Sequence, residues 1–80
     1  MKDSEILRTI TDMVQEEHRL LEAGEHGGLD GEQHERLKSL QVGLDQCWDL
    51  LRQRRARREF GENPDEAEVR DASIVERYQQ

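Results

Sequence analysis

Four things that this 80-residue chain lacks limit what it can be. Its single cysteine, Cys47, cannot build an intramolecular disulfide or a multi-cysteine zinc site, which favours a reducing compartment. No apolar run approaches the roughly 20 residues of a membrane-spanning helix, and the N-terminus has no apolar core of a secretory signal. Aromatic residues make up only 4% of the chain and hydrophobic residues only 32%, so a compact monomer has little to bury. We therefore expect a cytoplasmic protein without membrane association, whose small core gains from a second subunit.

Charged residues, by contrast, make up 39% of the chain, and they are unevenly distributed. The net charge is −7, yet residues 50–60 contain five arginines and one acid, between two segments in which acids predominate. We call these five residues the arginine block: Arg52, Arg54, Arg55, Arg57 and Arg58. An acidic molecule repels phosphate at long range, so general nucleic-acid binding is not expected. A local patch formed by the block is the alternative that stays open.

The spacing of apolar residues predicts a first helix over about residues 4–23. Asp3 or Ser4 is the expected N-cap, and Gly24 is the expected C-terminal stop. Glu17 interrupts the apolar face, and the simplest interpretation is that it pairs with an arginine of a second hairpin. Two neighbouring columns with a seven-residue repeat define that face: Ile6, Met13 and Leu20 in one, and Leu7, Val14 and Leu21 in the other.

A glycine-rich turn over residues 24–30 separates this helix from a second one, predicted over about residues 31–60. Asp30 and Gln33 have the capping-box spacing, which specifies where the second helix starts. Gly43 would weaken an exposed helix interior by about 1 kcal/mol relative to alanine. We therefore interpret Gly43 as a point where a neighbouring helix approaches closely.

Folding at the turn gives an all-α antiparallel helical hairpin. In this hairpin the arginine block extends beyond the first helix by roughly 10 Å and has no partner there. Trp48 and Leu50 flank the central seam on opposite sides, a width that one partner helix cannot cover. We therefore predict that two hairpins pair into a four-helix bundle, as a homodimer. The expected core or dimer-interface residues are Leu44, Cys47, Trp48, Leu50 and Leu51.

Residues 62–80 form an acidic extension that follows the hairpin of residues 1–61. Asn63 and Pro64 provide a cap and an N1 proline, which predicts a short helix near residues 64–70. The acids of the extension are well placed to reach the arginine block. Whether the extension docks on its own hairpin, swaps onto a sister subunit or stays mobile is left open. The apolar side chains available for docking are Val69, Ile74, Val75 and Tyr78.

Catalytic and metal sites find little support in the sequence. Glu16, Glu17 and His18 are adjacent, but no second acid or nucleophile is spaced to work with them, so we do not expect an enzyme. The Glu-x-x-His pattern of di-iron bundles is absent, and we expect no metal and no cofactor. The side chains considered as ligands are His18, His26, His34 and Cys47.

The segment LDQCWDLLRQRRARREFGENPDEAEVR, followed by VERY, resembles a family of small uncharacterised bacterial proteins, the domain of unknown function 2630. The resemblance covers nearly the whole chain and includes EEH at residues 16–18. It implies a small helical protein, and it brings no catalytic or binding residue with it.

Taken together, these patterns predict a non-catalytic interaction or adaptor protein that self-associates through its hairpin and binds an unidentified protein partner. The alternative is a nucleic-acid accessory protein that uses the arginine block. The residues expected at a partner surface are Glu17 and the arginine block.

Overall fold

The computed structural model describes residues 2–78, and over that range the chain is helical without any strand. Helices α1 and α2 form the antiparallel hairpin that the sequence predicts. The chain then turns back along α2 and ends in a short third helix. The elements are α1 (Asp3–Gly27), α2 (Gly31–Glu59), a 3₁₀ turn (Pro64–Glu66) and α3 (Ala72–Tyr78).

Helix α1 begins differently from the prediction. Its N-cap is Lys2, so neither Asp3 nor Ser4 caps it. The reason is tertiary, because the carboxylate of Asp3 accepts hydrogen bonds from Arg54 and Arg58 of α2. A carboxylate engaged with two guanidinium groups is drawn away from the free amides of its own first turn.

The end of α1 is also later than predicted. The helix continues past Gly24 and stops at Gly27, where Gly28 adopts a φ of 76° that few residues other than glycine tolerate. Gly24 instead provides room for the turn, since a Cβ atom there would lie 3.3 Å from Cγ of Leu29. The glycine at position 24 is therefore a packing residue, and the one at position 28 makes the turn.

Helix α2 follows the prediction more closely. The Asp30 carboxylate accepts from the Gln33 amide at 2.7 Å, and the Gln33 side chain accepts from the Asp30 amide at 3.0 Å. The predicted capping box is thus confirmed. Gly43 is also a point of close approach, because a Cβ atom there would lie 3.1 Å from Cε of Met13.

The hairpin core is easiest to describe with heptad positions a to g, taking Ile10 and Leu44 as a positions. Positions a and d then form the seam between the helices, where Ile6 and Leu40 are buried d positions. Positions e and g lie on the two opposite sides of that seam. The core cluster consists of Ile6, Ile10, Leu44 and Leu50, with Met13, Cys47, Leu51 and Ala67 packed against it.

The segment after α2 returns along the g side of the hairpin. The Gln53 side-chain amide donates to the Glu68 carbonyl at 2.8 Å, and the Gln46 amide donates to the Arg70 carbonyl at 3.2 Å. Ala67 packs against the core cluster, and Val75 is only 1% exposed. We call residues 62–78 the tail, and it docks on its own hairpin.

The predicted helix near residues 64–70 is wrong beyond its first turn. Asn63 caps a single 3₁₀ turn, its side chain accepting from the Asp65 amide at 3.0 Å. Ala67 then adopts an extended conformation, and the following segment runs along α2 with its Glu68 and Arg70 carbonyls bound by side chains of that helix. The real helix, α3, begins after Asp71, whose carboxylate accepts from the Ser73 amide at 2.9 Å. The side chain of Tyr78, which we expected to help dock the tail, lies outside the described part of the structure.

Candidate interaction surface

Arg54 is the central residue of the arginine block, and it is only 5% exposed. Its Nε donates to Oδ1 of Asp3 at 2.5 Å, and its Nη1 donates to Oδ1 of Asp65 at 3.0 Å and to the Pro64 carbonyl at 3.2 Å. One guanidinium therefore ties together the start of α1, the end of α2 and the tail. The expectation that the block has no partner within the hairpin is wrong at this position, because α1 begins early enough for Asp3 to reach it.

Three more arginines of the block have carboxylate partners. Arg58 contacts Asp3 at 2.8 Å, and Arg55 contacts Glu59 one turn along α2 at 3.3 Å. Arg57 lies 3.5 Å from Glu62 and 3.6 Å from Glu66 of the tail. We expected the block to pair, within the chain or between subunits, with Glu17, the N-terminal acids and the tail acids. Within the chain, Asp3 and the tail acids do pair with it, whereas Glu17 has no described ion pair. Arg52 is exposed and has no described carboxylate within salt-bridge distance.

The arginine partners lower the pKa values of the carboxylates at this end. Hydrogen bonds from Arg58 and then Arg54 hold the pKa of Asp3 below its ordinary value. A hydrogen bond from Arg54 likewise lowers the pKa of Asp65. The arginine block is therefore largely neutralised by groups of its own chain, which leaves little free positive charge for phosphate.

A second buried ion pair, which sequence reasoning missed, fastens the tail. Asp49 is 2% exposed, and both of its oxygens accept from the guanidinium of Arg70, one of them at 2.9 Å. Gln53 donates to the same carboxylate at 3.0 Å. The Arg70 hydrogen bonds lower the pKa of Asp49, outweighing the opposite effect of burial. Two features of the sequence could have indicated this pair. Asp49 is an acid within an apolar stretch, and Arg70 is an arginine within an acidic segment.

The predicted core or interface residues fall into different environments. Leu44 is buried in the seam, and Leu51 and Cys47 are half-buried beside it. Burial raises the pKa of the Cys47 thiol, which disfavours its thiolate form. Leu50 is 5% exposed within the single chain, on the g side that the tail covers. Trp48, on the other flank, is 44% exposed, so only one of the two flanks expected to need a second hairpin is uncovered.

The e positions of the hairpin form an apolar face that no other described element covers. In antiparallel helices the g positions of both helices share one side, as the ion pair between Glu16 and Arg36 shows, and the e positions share the other. Large apolar side chains occupy four e positions, and each remains 44–46% exposed. We call them the open face: Leu7, Val14, Leu21 and Trp48.

The remaining sequence candidates lie apart from one another. Glu16 pairs with Arg36, and the hydrogen bond from Arg36 lowers the pKa of Glu16. Glu17 is half-buried without a described ion pair, and His18 is exposed. Among the described residues, no three histidine, cysteine or carboxylate side chains are grouped as metal ligands. Within residues 2–78, no helix combines the length and apolarity needed to cross a bilayer.

Comparison with known proteins agrees with the resemblance seen in the sequence. The family model described as "Protein of unknown function (DUF2630)" matches residues 2–80. The chain belongs to this family. Uncharacterised proteins of Mycobacterium bovis and Mycobacterium tuberculosis are 51% identical to it over 77 residues, which is 95% of this chain and 88% of each relative. No solved structure matches the chain significantly.

Proposed function

We propose that this member of the family is a non-catalytic helical interaction protein that forms a homodimer through its open face. The observation that carries the proposal is the exposure of Leu7, Val14, Leu21 and Trp48 on one side of the hairpin. Single exposed apolar residues are ordinary, but four of them along one side of a hairpin favour an interaction surface.

The shape of the molecule supports a second helical layer at this face. The Cα atoms extend over 51 × 25 × 17 Å, so the chain is a thin slab with the tail on one side. A standard interface buries about 800 Å² per partner. The broad side of the slab offers enough area for that, and two hairpins stacked there make a four-helix bundle.

Energetics point in the same direction. Only six hydrophobic side chains among the described residues are buried, all of them in the hairpin or the tail. A core of this size seldom contributes more than about 3–5 kcal/mol of net stability. Removing apolar surface from water contributes about 25 cal/mol per Å², so covering the open face in two chains at once adds a sizeable favourable contribution.

The nucleic-acid alternative gains no support from the geometry. Four of the five arginines in the block already contact carboxylates of the same chain, and Arg54 is buried. Phosphate would have to displace those carboxylates before it could bind. A short DNA duplex at low salt should therefore give no shift in electrophoretic mobility, and a complex that weakens steeply with salt would favour the alternative.

The homodimer is tested by light scattering after size-exclusion chromatography, from about 1 to 200 µM, a range chosen around ordinary micromolar affinities. We expect a mass approaching twice the 9.4 kDa of the chain. Val14→Glu should return the mass to that of one chain, because it places a charge at the centre of the open face. Gln15→Glu is the matched control, since it adds the same charge to the adjacent exposed position on the outside of α1. A wild-type protein that stays at 9.4 kDa throughout would refute the proposal.

A further inference from the structure

We propose that the two copies pair antiparallel about a two-fold axis that passes near Val14, so that the arginine end of each open face lies over the glutamate end of the other. This inference rests on the proposed self-association and adds its geometry. The occupant is a second copy of this chain, and two independent features of the open face select the arrangement.

The first feature is the symmetry of the apolar row on α1. Leu7, Val14 and Leu21 are evenly spaced by seven residues, about 10.5 Å along the helix, and are exposed to nearly the same extent. The proposed two-fold axis lies in the plane between the two copies, passes next to Val14 and is perpendicular to the helices. Rotation about it exchanges Leu7 with Leu21. Each of these side chains then faces an apolar partner of similar exposure, as a self-complementary interface requires.

The second feature is the distribution of charge along the open face. At one end, one and two turns beyond Trp48, lie Arg52 and Arg55. Arg52 has no described salt bridge, and Arg55 has only the exposed pair with Glu59. These two arginines are therefore the part of the block that is available to a partner.

The opposite end of the open face is negative on balance, because the acids there outnumber Lys38, the exposed base at the same heptad position as Arg52. Glu22 and Glu25 flank Leu21 near the turn, both are exposed, and neither has a described ion pair. Glu17, one turn earlier, is also without one. A face that is positive at one end and negative at the other is complementary to itself only when the two copies run in opposite directions.

The competing arrangement has its two-fold axis parallel to the helices. It would place α1 of one copy over α2 of the other and stack the two arginine ends together, with the two glutamate ends also together. Juxtaposed like charges disfavour that dimer. Charge therefore favours the same antiparallel arrangement as the symmetry of the apolar row.

Disulfide trapping distinguishes the two arrangements. Val14→Cys in a Cys47→Ala background should form a covalent dimer on mild oxidation, because the two copies of residue 14 lie at the axis, within the roughly 7 Å between Cα atoms that a disulfide needs. Leu7→Cys alone is the matched control and should remain uncrosslinked, since its two copies are about 21 Å apart along the helices. A mixture of Leu7→Cys and Leu21→Cys chains should crosslink.

Charge reversal gives a second, noncovalent readout. The variant Arg52→Glu/Arg55→Glu and the variant Glu22→Arg/Glu25→Arg should each weaken the wild-type dimer, raising its dissociation constant about tenfold, because each change occurs twice in a symmetric dimer. An equimolar mixture of the two variants should recover the lost affinity by forming mixed dimers. Circular dichroism of each variant checks that the hairpin is intact.

The outcomes separate this inference from the proposed function. A wild-type protein with the mass of one chain overturns both. A dimer in which Val14→Cys does not crosslink, while Val14→Cys and Gln41→Cys chains crosslink with each other, overturns the antiparallel geometry and leaves self-association standing. Unchanged dissociation constants in both charge-reversal variants would likewise refute the role assigned to the two ends.

Discussion

The two sides of the hairpin are made by the same two helices, yet one is covered and the other is not. On the g side, the tail covers Leu50 and inserts Val75, and both are at most 5% exposed. On the e side, Trp48 and the α1 row remain 44–46% exposed. The difference shows that the heptad pattern specifies which residues line each side, whereas a further element decides which side is buried.

Polar contacts explain why the tail lies where it does. Asp49 and Gln53 on α2 bind Arg70 and the Glu68 carbonyl of the tail through an ion pair and a hydrogen bond. Apolar burial alone is non-directional and would serve either side. Directional groups therefore assign the tail to one side and leave the other for a partner.

The largest expected difference comes from shortening one apolar side chain on each side of the hairpin. Leu50→Ala should lower the free energy of unfolding by about 3 kcal/mol at any protein concentration, because it leaves a cavity beneath the tail. Trp48→Ala should change the stability of the dilute monomer by under about 1 kcal/mol and act mainly on the dimer. Urea unfolding followed by circular dichroism at several concentrations measures both.

Leu50→Val is the milder substitute if Leu50→Ala does not fold, with an expected loss of about 1 kcal/mol. A Trp48→Ala loss of 3 kcal/mol or more in the dilute monomer would contradict the exposed position of the ring.

The next effect tests the ion pair that holds the tail. Arg70→Gln should destabilise the protein by about 2 kcal/mol, because it leaves the buried Asp49 carboxylate with fewer partners. Amide hydrogen exchange in α3 should accelerate more than exchange in the middle of α1. Arg70→Lys, which keeps the charge but not the fork of donors, should give an intermediate result. Unchanged exchange in α3 would show that other contacts hold the tail.

The third effect is the pH dependence contributed by Asp49 on the covered side and Asp3 at the arginine end. The pKa values of Asp49 and Asp3 are lowered by their arginine partners, so the unfolded state takes up protons at higher pH than the folded state does. Their stabilising contribution is complete above the ordinary carboxyl range and is lost as the pH falls through the folded-state values. Stability should therefore decline below about pH 4. Asp49→Asn should flatten the decline, and an identical slope in that variant would contradict the assignment.

The smallest effect concerns the seam between the two sides. Gly43→Ala should change stability by no more than about 0.5 kcal/mol, because the gain of about 1 kcal/mol in helix propensity is offset by the close contact with Met13. Ala56→Gly, at an exposed site in the same helix, measures the propensity contribution alone and should destabilise by about 1 kcal/mol. A stabilisation of the full 1 kcal/mol in Gly43→Ala would mean that Met13 moves away freely.

The parts of the fold that sequence reasoning predicted are those governed by neighbours in the chain. The hairpin follows from the apolar repeat, and the start of α2 follows from the Asp30 and Gln33 side chains three residues apart. The pairing of Arg55 with Glu59 and of Arg57 with Glu62 joins residues that are at most five positions apart. Each depends on contacts within a few turns of helix, which a pattern of residues records directly.

The parts that were missed depend on groups far apart in the chain. Asp3 could cap its own helix or bind Arg54 and Arg58, and only the packing of α1 on α2 decides for the arginines. Residues 67–70 could have continued a helix, but the chain becomes extended at Ala67. The segment then runs along α2, whose side chains bind the Glu68 and Arg70 carbonyls. Residue pattern alone therefore establishes a charged helical hairpin with two apolar flanks. The docking of the tail leaves Trp48 and the Leu7 row exposed, because one short segment can cover only one side.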